Sequence, residues 1–214
     1  MSCIIDNGVI MYMSTVIGIC GTNFCSLCAD SRKVTNDKNT VKVVNNTTQK
    51  VFKINDRVLF GATGVFKSTE NLLDPLKVYP DKSVITVRTA YKAVIDYINR
   101  NKSIIDWCYF RNYMVGGKDN KGRFCIYEIH FNPDTGEVDT TLRMPSPPMF
   151  NFSISCALPL NLQGEEQEYI NKVGNAISSS NTHGEMLNGI KDVIKEISKK
   201  DITVGGEMQV VSIF

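Results

Sequence analysis

Two histidines, a Cys-x-x-Cys pair and a scatter of polar residues bordering apolar runs are the places where this sequence could carry chemistry. His130 and His183 are its only histidines, and neither has acids or cysteines at metal-ligand spacing. A zinc site or a histidine-dependent triad is therefore hard to build. Cys25 and Cys28 lie three apart in a strand-like run, which sends their side chains to opposite faces, and no second cysteine pair lies nearby. They read as buried thiols. Trp107, Tyr109 and Phe110 read as core or interface residues, not as a stacking platform. Polar and glycine residues also border the apolar runs, among them Ser14 ahead of TVIGIC, Asp30 after FCSLCA, Lys50 at the head of KVFKI, Gly64 at the end of VLFGATG, and Asp201 before Gly205-Gly206. Taken singly, these are ordinary: turn residues, a surface lysine, a turn glycine.

Bulk properties narrow the classes. The chain has 214 residues, 43% hydrophobic and 21% charged, enough for one domain with a proper core. A net charge of +2, from 24 Lys+Arg against 22 Asp+Glu, gives no long-range pull on phosphate backbones or anionic lipid. The cations are also dispersed along the sequence among acids and asparagines, which argues against nucleic-acid binding. Seven cysteines, several in apolar runs, read as reduced thiols of a cytosolic protein. The N-terminal MSCIIDNGVIMYM lacks a basic start and carries Asp6 and Asn7, so it is a poor signal peptide. No run approaches the ~20 apolar residues of a membrane helix. The expectation is a soluble, cytoplasmic protein.

The elements that must position those residues follow from the pattern. STVIGIC and FCSLCA flank the turn Gly21-Thr22-Asn23 and read as a hairpin. A polar stretch SRKVTNDKNT, a short VKVV and the turn-like NNTT precede two more strands, 50–54 and 58–64. A shorter helix is expected around residues 66–78. KSVITVRTAYKAVIDYINRN places Val87, Ala90, Tyr91, Val94, Ile95 and Ile98 on one helical face. YFRNYMVGG, RFCIYEIHF and VDTTLRM return to strand, joined by KDNKG and NPDTG turns. Prolines in PSPPMF interrupt regular structure before NFSISCAL. Helices are expected at 168–178 and 186–199, and EMQVVSIF closes as a strand. The order of strands, helices, strands, helices, strand suits two sheets face to face with helices outside.

That order and four motifs resemble the proteasome β-subunit and HslV superfamily of N-terminal-nucleophile (Ntn) hydrolases. The motifs are STVIG from Ser14, ADSR at 29–32, KVFKI followed by VLFGATG, and Asp201 with Gly205-Gly206 and the final strand. The resemblance covers residues 14–214 as a single domain, with 1–13 as an N-terminal extension or propeptide. It implies an α+β, four-layer αββα sandwich of two mainly antiparallel sheets, and peptide-bond hydrolysis without a cofactor or metal. Ser14 stands where the family has threonine. By carry-over Ser14 is the nucleophile and its free α-amine the base; Lys50, paired with Asp30, supplies positive charge. The Gly64 N–H faces the oxyanion, Asp201 orients the amine, and Ser153 (or Ser155) assists, although the family's glycine-flanked serine is not reproduced there. The substrate pocket carries over to Lys33, Thr48, Phe52, Ala62 and Phe66. An N-terminal cysteine nucleophile at Cys3 stands at the wrong distance from Asp30.

An α-amine titrates near pKa ~8 and suits the role of base at neutral pH, but an amide nitrogen has no basicity. Ser14 must therefore be freed, by cleavage at Met13–Ser14 or by translation starting at Met13 with removal of that methionine. The competing expectation is a non-catalytic or latent ring subunit with a structural role. The resemblance further implies a homo-oligomeric ring with an inner chamber, acting on peptides or unfolded protein, and an ATP-dependent unfoldase as a partner by analogy.

Overall fold

The computed structural model describes residues 10–13, 15–37, 40–67, 71–103, 111–149 and 151–214. Ser14, Cys3, Trp107, Tyr109 and Phe110, named above, lie outside the described residues.

The β-branched runs pair into two antiparallel sheets. Sheet A holds β1 (Ile10–Met13), β4 (Lys33–Asp37), β5 (Thr40–Asn45), β6 (Val51–Lys53), β7 (Val58–Lys67), β8 (Arg111–Lys118), β9 (Phe124–Asn132) and β10 (Glu137–Arg143). Its order is β10-β9-β8-β7-β1-β4-β5, with β6 also on β7. Sheet B holds β2 (Val16–Gly21), β3 (Cys25–Ala29), β11 (Phe152–Ala157) and β12 (Gln209–Ile213), in the order β11-β2-β3-β12.

Among the described residues, three α-helices complete the layers. Helix α1 (Val87–Asn101) starts at a capping box in which the Thr86 and Thr89 side chains each accept the other's backbone N–H. It buries Val87, Ala90, Ala93, Val94 and Ile98 against the outer face of sheet A. Helices α2 (Glu166–Ser178) and α3 (His183–Lys200) pack on the outer face of sheet B through Tyr169, Val173, Ile190, Ile194 and Ile197. A third apolar cluster, with Val16, Leu27, Leu59, Met114 and Ile126, fills the space between the sheets. The result is the αββα sandwich. Cys25 lies in that middle layer and Cys28 on the α2/α3 side, as alternation along β3 requires. No helix among the described residues is long and apolar enough to cross a membrane.

The structure departs from the sequence pattern in three places. The polar stretch after Arg32 forms β4, because β1 and β5 lie on either side and supply its ladder bonds. β7 runs on to Lys67, and the helix expected at 66–78 reduces to a 3-10 turn at Asp74–Val78, where Pro75 favours a helical start. Residues 10–13, expected to lie in an extension ahead of the domain, form an interior strand: β1 pairs with β7 on one side and β4 on the other.

Candidate active site

Asp30 follows the last residue of β3 and is almost wholly buried, with 1% of its surface exposed. Donors from Lys50, Thr15, Arg32 and Gly205 converge on its carboxylate. Oδ1 accepts the Lys50 ammonium at 2.8 Å and the Thr15 backbone N–H at 3.1 Å. Oδ2 accepts the N–H groups of Arg32 and Gly205, each at 3.0 Å. Lys50 itself has no exposed surface. Burial pulls its ammonium pKa below the ordinary value, and the Asp30 charge opposes that pull. Its backbone is held as well: the Lys50 N–H donates to Gln209 Oε1 at 2.9 Å, and Gln209 Nε2 donates to the Thr48 carbonyl at 2.9 Å. A side chain of β12 thus clamps the approach to β6.

Residues 201–207 are fastened to the same place. Arg32 donates through Nη1 to the carbonyls of Ile202 and Val204 at 3.1 and 3.2 Å, and through Nε to Asn46 Oδ1 at 2.9 Å. Ser31 donates its hydroxyl to the Asn46 carbonyl and accepts the Glu207 N–H at 2.9 Å. Gly206 has a φ of 75°, and a Cβ there would lie 2.4 Å from Ser31 Oγ, so glycine is required. Asp201 is buried at the end of α3, where its carboxylate accepts the Thr203 N–H at 2.6 Å.

Sheet A brings the remaining candidates to β1. Met13 stands opposite Gly64 of β7 and opposite Lys33 of β4. Gly64 has a φ of 120°, which favours glycine. Two residues later in the sequence, Thr15 is bonded to Asp30 and leads into β2 of sheet B. β1 of sheet A thus ends at Met13, and β2 of sheet B begins at Val16. Phe52, Ala62 and Phe66 share one apolar cluster, with the buried Arg111 guanidinium 5.3 Å from the Phe66 ring centre. Lys33 stands opposite Asn45 in the β4–β5 pairing, and Asn45 Oδ1 accepts the Thr48 hydroxyl at 2.7 Å.

Ser153 is not brought to this cluster. It stands opposite Cys20, five residues along from Thr15, while Ser155 stands opposite Gly18 with its buried hydroxyl unpartnered among the described residues. A cavity of about 340 Å³ lies beside the site, lined by Asn112, Glu128, His130, Arg143, Ala157 and Glu166 among others. Asn112 pairs across from Thr63, and Ala157 from Val16, which sets the cavity next to Gly64 and Thr15.

Three further residues position the site. Arg32 falls inside the ADSR motif. Thr15 enters through its backbone, which no side-chain pattern signals. Gln209 reaches Lys50 across 159 positions of sequence, and nothing local marks it.

The sequence profile of the proteasome subunit family matches residues 12–139. That stretch contains Asp30, Lys50 and Gly64; Asp201 lies beyond it. Among solved structures, the chain is similar to eukaryotic HslV from Trypanosoma brucei, with a TM-score of 0.54 at 13% identity. The match covers 94% of this chain and 99% of that one, and at such identity it speaks for the fold alone. No curated protein sequence matches significantly. On the matched profile, which spans more than half its length, the chain belongs to the proteasome subunit family.

Proposed function

We propose that this chain is a peptide-bond hydrolase whose nucleophile is Ser14 once that residue is N-terminal. The observation that carries the reading is the buried Asp30–Lys50 pair, bonded at 2.8 Å and joined by the N–H of Thr15, the residue next to Ser14. Burying an ion pair is costly, and a subunit that only forms a wall has no physical need for one at this position. In the proposed reaction the Ser14 hydroxyl attacks the substrate carbonyl and passes its proton to the α-amine of the same residue. Lys50, kept ionised by Asp30, favours the alkoxide-like oxygen through its charge. The Gly64 N–H receives the oxyanion, where one preorganised donor is worth ~3 kcal/mol. The protonated amine then gives its proton to the leaving nitrogen, and water releases the acyl-enzyme by the reverse course.

The substrate takes the place of β1. An extended peptide between β4 and β7 gains main-chain hydrogen bonds on both sides, a recurrent mode of peptide recognition. Phe52, Ala62 and Phe66 form the apolar part of its pocket, Lys33 and Thr48 the polar part. The chain beyond the cut bond leaves by the cavity lined by Asn112 and Ala157. Asp201 acts by holding the 201–207 loop on Asp30, and Ser153 has no part. Self-association into a ring, an unfoldase partner and a cytosolic location belong to the same proposal.

A second reading draws on β1. With residues 10–13 in the slot, Ser14 carries an amide nitrogen and the subunit is latent. Intact mass and N-terminal sequencing of the protein from its native host separate the two. A chain beginning at Ser14 that hydrolyses peptides supports the enzyme. A chain that keeps residues 10–13 and is inert supports the latent ring subunit.

A further inference from the structure

A groove of about 760 Å³ opens at the far end of β7 from Gly64, where the β6–β7 turn, the start of α1 and the β8–β9 turn meet. Val58, opposite Gly117, marks that end of the strand; six residues separate it from Gly64, ~20 Å along the sheet. Six of the chain's 24 cations line the groove: Arg57, Arg88, Lys92, Lys118, Lys121 and Arg123. One of its 22 acids, Asp119, does so too, and it is already paired with Arg123 at 2.8 Å. Lys118 donates to the Phe214 carbonyl at 2.7 Å. Arg57, Arg88, Lys92 and Lys121 have no carboxylate partner among the described residues. Cations scattered through the sequence are thus gathered in space.

Two of them stand where helix electrostatics disfavours them. Arg88 and Lys92 are four residues apart on the first turns of α1. Like charges at that spacing repel, and the positive end of the helix dipole opposes Arg88 in the first turn. The capping box satisfies the helix end without them. An anion in the groove is attracted by both side chains and by the helix N-terminus, and so offsets these costs.

We propose that this groove binds a small ligand carrying two or more linked phosphate groups. The volume is that of a small-molecule site. Linked phosphates put several negative charges within it, whereas an acidic peptide strand spreads one charge per ~3.3 Å. Arginine forks and lysine ammonium groups together match phosphate oxygens. The inference is independent of the hydrolase reading, since no residue of the groove belongs to the Asp30 cluster.

Titration calorimetry on the full chain tests it, with inorganic tripolyphosphate, ATP and hexaglutamate at equal ionic strength. Saturable binding of either phosphate ligand is expected, and the Arg88→Ala/Lys92→Ala variant weakens it ~10-fold or more. A second double variant, Lys191→Ala/Lys195→Ala on α3, removes as much charge and leaves binding unchanged. Without ligand, the groove variant melts no lower than the parent, and Arg57→Ala gives an independent second reading of the affinity loss. Tighter binding of ATP points to a nucleoside polyphosphate, and tighter binding of tripolyphosphate to an inorganic chain. No saturable binding, equal losses in the two double variants, or hexaglutamate binding as tightly as the phosphates overturns the proposal.

Discussion

A lysine ammonium with no exposed surface is tolerated only while its carboxylate remains, so the two members of the Asp30–Lys50 pair do not lose the same thing when separated. Lys50 Nζ donates to Asp30, whereas Asp30 keeps the N–H groups of Thr15, Arg32 and Gly205 when Lys50 is gone. Asp30→Asn is therefore expected to cost about 3–5 kcal/mol. Lys50→Met should cost less, about 1–3 kcal/mol, because three amide donors still serve the carboxylate. Urea unfolding of both variants checks this; the opposite order would mean that Asp30 is not the stronger anchor. Gly206→Ala should cost about 2–3 kcal/mol, from the left-handed backbone and the contact with Ser31 Oγ. A loss under 0.5 kcal/mol in the same assay contradicts the tie between residues 201–207 and Ser31. Asp30 and Lys50 are ordinary taken singly, and only the order and spacing of the motifs that resemble the family mark them; the structure bonds one to the other. Gln209 is not legible in the sequence, since its task is set by a partner from a distant strand.

At the scale of elements, β7 offers one edge to two short strands set end to end. β6 pairs with residues 59–61 and β1 with residues 64–67. A chain beginning at Ser14 keeps the first pairing and loses the second, leaving a slot four residues long with β4 on its other side. The amides of Lys33–Asn36 and Gly64–Lys67 should then exchange faster than in the full chain, and a bound peptide should restore their protection. Unchanged exchange would show that β4 and β7 close on each other when β1 leaves. Amphipathic period makes α1 and α3 readable, and apolar, β-branched or aromatic runs bounded by turn residues make β2, β3, β8 and β9 so. β4 is not, because KVTND has one apolar residue, Val34, and is a strand through its neighbours. β1 was read as an extension for a related reason: its pairing depends on strands that form around it.

For the molecule as a whole, the buried thiols give the fold an alkaline limit. Burial raises Cys20 and Cys28 to about 12 and Cys125 to about 11, and pushes Cys25 and Cys156 up as well, from an ordinary value near 9. Unfolding lets all five ionise near that ordinary value. The stability the thiols contribute is therefore full below about pH 9 and lost as pH rises toward 11–12, by up to ~1.4 kcal/mol per pH unit for each thiol. Lys50, held below 10.5 in the fold, works the other way below that pH, one group against five. Urea midpoints in reducing buffer should fall from pH 9 to pH 10.5; a flat or rising series contradicts the burial of the thiols. The central claim concerns the start of the chain, and it is tested most directly by a protein released from a fusion with Ser14 as its first residue. It should hydrolyse fluorogenic peptides, while the chain with residues 1–13 retained and the Ser14→Ala form of the shortened chain should not. An inert shortened chain that is folded, or one whose activity survives Ser14→Ala, would contradict Ser14 as the nucleophile.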